Sequence, residues 1–152
     1  MNMRKLQAGV ALIEAMVAIL VFSAGILAIV GLLAVSTKNS GDAKYRLDAS
    51  LLANQLVGQM LGSINRSTTS AQQLTALNNN FSSPNGAAYL AWVNGVNAAL
   101  PGSTAVAPTV VISATASTSP TSPSNQAVVT INWNAPNEPA GAHVYTTIAQ
   151  IR

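Results

Sequence analysis

The sequence predicts an α+β chain: a long N-terminal helix, its hydrophobic half transmembrane, packed on a small antiparallel β-sheet head. Three observations carry that expectation. Residues 15–37 hold 23 positions without a formal charge, rich in Ala, Ile, Leu and Val. Apolar residues then recur at three- and four-residue spacings as far as Ile64, which is the period of a helix with one buried face. After Pro108 the pattern changes to β-branched runs with period two, the signature of half-buried strands.

Composition narrows the function classes. Of 152 residues, 49% are hydrophobic and 7% are charged, against about 25% charged in ordinary soluble domains, so part of the chain should face something other than water. The mean hydropathy of +0.36 agrees. Seven basic against four acidic residues give a net charge of +3, but Arg4 and Lys5 lie together near the start and the other five are scattered. No basic patch results, and nucleic acid is not expected as a direct partner. The absence of cysteine removes disulfides, zinc–thiolate sites and thiol nucleophiles, and a single histidine, His143, offers no pair for a metal. With no nucleophile–base spacing and no phosphate loop, neither catalysis nor a cofactor or metal is expected.

Taken in chain order, a helix over residues 15–37 rises about 34 Å at ~1.5 Å per residue, enough to cross a hydrocarbon core. A secretory signal peptide fits less well, because the apolar run exceeds the ~7–15 residues of such a segment and Glu14 interrupts it near its start. Leu47, Leu51, Leu52, Leu56, Val57, Met60, Leu61 and Ile64 continue the helical period, so one helix from about Val10 to Ile64 is expected. Ser40-Gly41-Asp42 marks a kink, or a cap supplied by Asp42. Residues 65–83, rich in Ser, Thr, Asn and Gln, read as a loop closed by Pro84-Asn85-Gly86. Residues 87–100 read as a short helix ended by Pro101-Gly102, and residues 109–118, 127–135 and 144–151 as three strands. Residues 119–125 form the loop between the first two, and Trp92, Trp133 and Tyr145 should pack between sheet and helix.

Gly9-Val10-Ala11-Leu12-Ile13-Glu14, after a short leader containing Arg4 and Lys5 and before a long apolar helix, resembles the class III signal of type IV pilins and type II secretion pseudopilins. The family pattern is Gly-Phe-Thr-Leu-Ile-Glu. This chain keeps Gly9, Leu12, Ile13 and Glu14 and places Val10 and Ala11 where Phe and Thr are usual. The run from Leu12 to Val21, followed by Ser23-Ala24-Gly25-Ile26-Leu27 and Gly31-Leu32, is similar to the PilV-like group of type IV pilus minor pilins. An Ala-, Gln- and Leu-containing segment at residues 49–60 and the strand Val129-Thr130-Ile131-Asn132-Trp133 extend that likeness in general terms.

The resemblance implies a pilin-like fold with three parts: residues 1–9 as a leader removed by prepilin peptidase, 10–37 as the transmembrane and filament-core half of the helix, and 38–152 as a periplasmic head. It also implies cleavage after Gly9, methylation of Val10 as the new N-terminus, and an assembly role for Glu14. The implied localisation is a single inner-membrane pass with the N-terminus inside, followed by the pilus at the cell surface. Partners would be major and minor pilins, prepilin peptidase, the inner-membrane pilus assembly machinery and membrane lipid, serving pilus assembly, twitching motility or adhesion.

A physical argument runs alongside. Cleavage after Gly9 removes Arg4 and Lys5, leaving five basic residues (Lys38, Lys44, Arg46, Arg66, Arg152) against four acidic ones (Glu14, Asp42, Asp48, Glu138). It also exposes at Val10 an amino group that is cationic at neutral pH. In the family such an amine pairs with the acid at the position of Glu14 on a neighbouring subunit, relieving a carboxylate in apolar surroundings and setting subunit register. Glu14 could alternatively snorkel to lipid headgroups.

The remaining residues have plainer readings. Gly25 and Gly31 lie six apart rather than four, suiting packing or local softening of the helix. Lys44, Arg46 and Asp48 form a solvated patch or polar contacts between subunits. His143 is a surface or core residue rather than a base or ligand, either Trp could stack on carbohydrate, and the Ser/Thr-rich residues 113–124 could accept glycans. Two rival functions are a minor pseudopilin of a type II secretion system and a single-span periplasmic binding protein that keeps its N-terminus.

Overall fold

A computed structural model describes residues 3–115, 124–136 and 138–151, with side chains from residue 10 onward. The element order is α1 (Met3–Ser63), α2 (Ser70–Phe81), α3 (Ala87–Ala99), β1 (Thr109–Thr115), β2 (Ser124–Trp133) and β3 (His143–Ile151). The chain is α+β, with a long apolar N-terminal helix and a helical layer on a small antiparallel sheet. It divides into two compact units, Met1–Gly41 and Asp42–Arg152.

The second unit carries the core. Its sheet has the order β1-β2-β3, with both pairings antiparallel. On the inner face of β2, Ala127, Val129, Ile131 and Trp133 are buried, joined by Val110 and Ile112 of β1 and Ile151 of β3. The helical layer opposite contributes Ala49, Ala53, Leu56 and Met60 from α1, Leu77 and Phe81 from α2, and Tyr89, Trp92 and Val96 from α3. Trp92 and Trp133 are 6% and 3% exposed, so neither has an open ring face for carbohydrate stacking. Tyr145 is half-buried against the same core, as its alternation with Val144 and Thr146 requires.

Four sequence expectations need correction. The buried stripe of α1 runs through the small residues Ala49 and Ala53, whereas Leu47, Leu51 and Leu61 are exposed. Across this face the other elements supply large side chains, Trp92 among them, whose indole N–H reaches the Leu52 carbonyl, so small residues fill the stripe beside Leu56 and Met60. Ser40, Gly41 and Asp42 are all helical, so Asp42 caps nothing.

The supposed loop over residues 65–83 contains α2. Thr69 and Gln72 form a capping box there: Thr69 Oγ1 accepts from the Gln72 backbone N–H and Gln72 Oε1 from that of Thr69. Leu74, Leu77 and Phe81 then fall on one face and reach the core. Finally, β2 begins at Ser124, so Ser124 and Asn125 belong to a strand rather than to the loop expected over residues 119–125. The rest of that loop, the end of the first expected strand at residues 116–118, and most of the stretch considered for glycans lie outside the described residues.

Polar contacts tie the layers together. Tyr89 Oη donates to the Pro108 carbonyl at 2.6 Å, Ser103 Oγ donates to the Leu100 carbonyl at 2.9 Å, and Asn125 Nδ2 donates to the Ser70 carbonyl at 3.2 Å. The outer edge of β1 is met by Ser83, whose N–H donates to the Val110 carbonyl and whose Oγ accepts from the Val110 N–H.

Candidate functional site

The first unit is the simpler one chemically. From Val10 to Val35 the large apolar side chains of α1 are exposed, from 46% at Ile26 to 76% at Leu27, and none of the most apolar window is buried within the chain. Among the described residues this is one helix long and apolar enough to cross a membrane. Two of its hydroxyls are satisfied internally: Ser23 Oγ donates to the Ile19 carbonyl at 2.7 Å and Thr37 Oγ1 to the Leu33 carbonyl at 2.9 Å. Such bonds to the preceding turn let a polar side chain sit in apolar surroundings without an orphaned donor. A Cβ placed on Gly25 or Gly31 would meet open space, so neither glycine packs against anything among the described residues.

Glu14 is the single formal charge on residues 10–37. It stands exposed on the same helix, and among the described residues no hydrogen-bond or ion-pair partner is found for it. Val10 lies one turn before it on α1, and Gly9 belongs to the helical backbone of the same element. The structure therefore places the three sequence-selected residues within one helix.

In the second unit the titratable groups are dispersed. Lys44 and Arg46 are exposed, Asp48 is half-buried, and the Lys44 Nζ lies 5.9 Å from the centre of the Tyr45 ring. Lys44 and Asp48 line a shallow groove with Leu51, Gln55 and Ala98. A cleft of about 250 Å³ between the end of α1 and α2 is lined by Ser63, Asn65, Thr68, Gln72, Gln73 and Asn80, with no ionisable side chain among its walls. No group of three or more His, Asp or Glu converges among the described residues. Burial holds the Tyr89 hydroxyl above the ordinary tyrosine range, a consequence of desolvation in the core.

No protein-family model, curated protein or solved structure matches the chain.

Sequence reasoning treated His143 as a residue without a special role, and its surroundings are more organised than that. His143 Nε2 lies 2.7 Å from Glu138 Oε2, and its ring stacks on Trp133 at 5.5 Å and 17°. Glu138 Oε2 also accepts from the Ala135 N–H at 3.2 Å. The imidazole closes the β2–β3 connection as a structural clasp. The signal available in the sequence was an acid five residues before a histidine in a segment containing Pro136, Pro139 and Gly141, which reverses the chain.

Proposed function

We propose that the chain is a minor subunit of the type IV pilin class, anchored by α1 before assembly and packed through the same helix surface afterward. It performs no reaction. The observation that carries this reading is Glu14: one carboxylate on an exposed aliphatic helix, with no partner among the described residues of its own chain, five residues after a glycine. An anion in an apolar phase needs a counter-charge, and once residues 1–9 are removed a second molecule would supply it. Hydrolysis of the Gly9–Val10 bond would supply one as the Val10 amine of a neighbouring copy or relative.

The second unit supports the reading by having a core of its own, so a head can stand outside the membrane while residues 10–37 stay in lipid. The roles of Gly9 as cleavage position, Val10 as methylated terminus and Glu14 as assembly acid belong to this proposal. So do the inner-membrane orientation and the pilin, peptidase and assembly-machinery partners.

The test is the intact mass of the chain purified from a host carrying a prepilin peptidase. The expected product has lost residues 1–9 and carries one methyl group on Val10, and Glu14→Gln should be processed but fail to enter filaments. A mature chain that retains Met1 overturns the proposal and favours a single-span binding protein. If processing holds, loss of twitching against loss of protein export separates a pilus subunit from a secretion pseudopilin.

A further inference from the structure

The two edges of the sheet are treated differently by the fold. At β1 the Val110 N–H and carbonyl point away from β2 and are taken up by Ser83. Because antiparallel pairs alternate between bonded and non-bonded positions, this outward pair sets the phase of the whole sheet. Val110 faces Val129, so Val129 bonds toward β3, and its partner there is Thr147. Tyr145 and Ala149 follow Thr147 in bonding inward. Val144, Thr146, Ile148 and Gln150 must then direct both backbone groups away from the sheet, and no backbone bond to them from that side is found among the described residues.

That edge has none of the usual protections. It runs nine residues without Pro, Gly, Lys, Arg, Asp or Glu, and Ile148 on it is 62% exposed. Val111, Val128 and Ile148 lie opposite one another in register, so an apolar row crosses the outer face and ends at the open edge. What covers such an edge is an extended backbone, because only a strand offers donors and acceptors at its spacing.

We infer that β3 pairs with β3 of a second copy, antiparallel about a two-fold axis at Thr147. A second copy suits this edge because β3 carries no Asp, Glu, Lys or Arg that would face its like across the axis. The register centred on Thr147 overlaps all nine residues, placing Val144 opposite Gln150 and Thr146 opposite Ile148. In that register every outward N–H and carbonyl of Val144, Thr146, Ile148 and Gln150 meets a partner, and no like charges face each other across the axis. Among the described residues β3 is also the one strand with an open edge of the required length, since β1 is met at Val110 by Ser83. The result is a six-stranded sheet continuous across two molecules. This inference does not rest on the pilin reading.

Thr147 would face its own copy as a non-bonded pair, with Cα atoms about 4.5 Å apart, inside the range a disulfide spans. The chain has no cysteine, so single-cysteine variants report one contact each. In the full-length chain in detergent micelles, Thr147→Cys is expected to give a covalent dimer on mild oxidation. Ser113→Cys, exposed on β1, is expected to give none. Ile148→Lys places a charge on an already exposed position and should halve the protein mass measured by light scattering, with tryptophan emission unchanged.

Absence of the Thr147→Cys dimer in a chain with native emission overturns the inference. A dimer that persists in Ile148→Lys does the same. Crosslinking of Thr147→Cys in native membranes to a different protein, and not to its own copy, overturns the choice of occupant.

Discussion

The Trp92 indole N–H donates to the Leu52 carbonyl at 2.9 Å, fastening α3 to the second half of α1 across 40 positions of sequence. Leu52 sits mid-helix, where its carbonyl already belongs to the helical ladder, so the indole adds a second bond to one acceptor. Trp92→Phe removes that bond and leaves a smaller ring in the core. It should destabilise the head by about 2 kcal/mol, read from chemical denaturation of the full chain in micelles with Trp133 as the remaining fluorophore.

Tyr89 makes the head sensitive to alkali. Burial raises its hydroxyl above the ordinary value, so the native state keeps the proton at a pH where the unfolded chain loses it. Its contribution is complete below about pH 10 and is lost as the pH climbs from there through the raised native value, at no more than ~1.4 kcal/mol per pH unit. Tyr89→Phe costs about 1 kcal/mol at neutral pH through the lost bond to Pro108 and should remove this alkaline component. Comparing denaturation midpoints at about pH 8 and about pH 11 for the two proteins checks the sign.

Two glycines should respond to alanine in opposite directions. Gly102 has φ +70° and its missing Cβ would fall on the Asn134 carboxamide, so Gly102→Ala should destabilise the head by about 2–3 kcal/mol. Gly95 lies inside α3, and a Cβ there meets open space. Gly95→Ala should therefore stabilise the head by about 0.5–1 kcal/mol through helix propensity. Melting curves of both variants beside the parent decide it.

A fragment of residues 42–152 should fold without the membrane-like segment, because every residue of the core cluster lies at or beyond Ala49. It is expected to be soluble without detergent and to keep the buried emission of both tryptophans, with a cooperative unfolding transition. A non-cooperative loss of signal would show that the core needs the preceding helix.

Elements written in simple periods were legible from the residues. The apolar stretch, its helical continuation and the alternation Val129, Ile131, Trp133 each expose their structure locally, and the sheet and both tryptophans fall where those patterns put them. The helix α2 was hidden because its composition is that of a loop; Leu74, Leu77 and Phe81 were the readable signal, together with Thr69 and Gln72 three apart. On α1 the leucine spacing misled, since Ala49 and Ala53 share the buried face with Leu56 and Met60 while Leu47, Leu51 and Leu61 stay outside. The Glu14 motif is linear and could be read directly, whereas the clasp between Glu138 and His143 and the open edge of β3 depend on chain reversal and strand order, which no local pattern encodes.

The hydroxyls of Ser23 and Thr37, each folded back onto its own helix, leave residues 10–37 with an almost purely aliphatic sleeve around one acid. A rod clad in that way dissolves in oil and not in cytosol or periplasm. On the proposed function, passage from bilayer to polymer would proceed by handover between two greasy surroundings in direct contact, with no free-swimming stage between them.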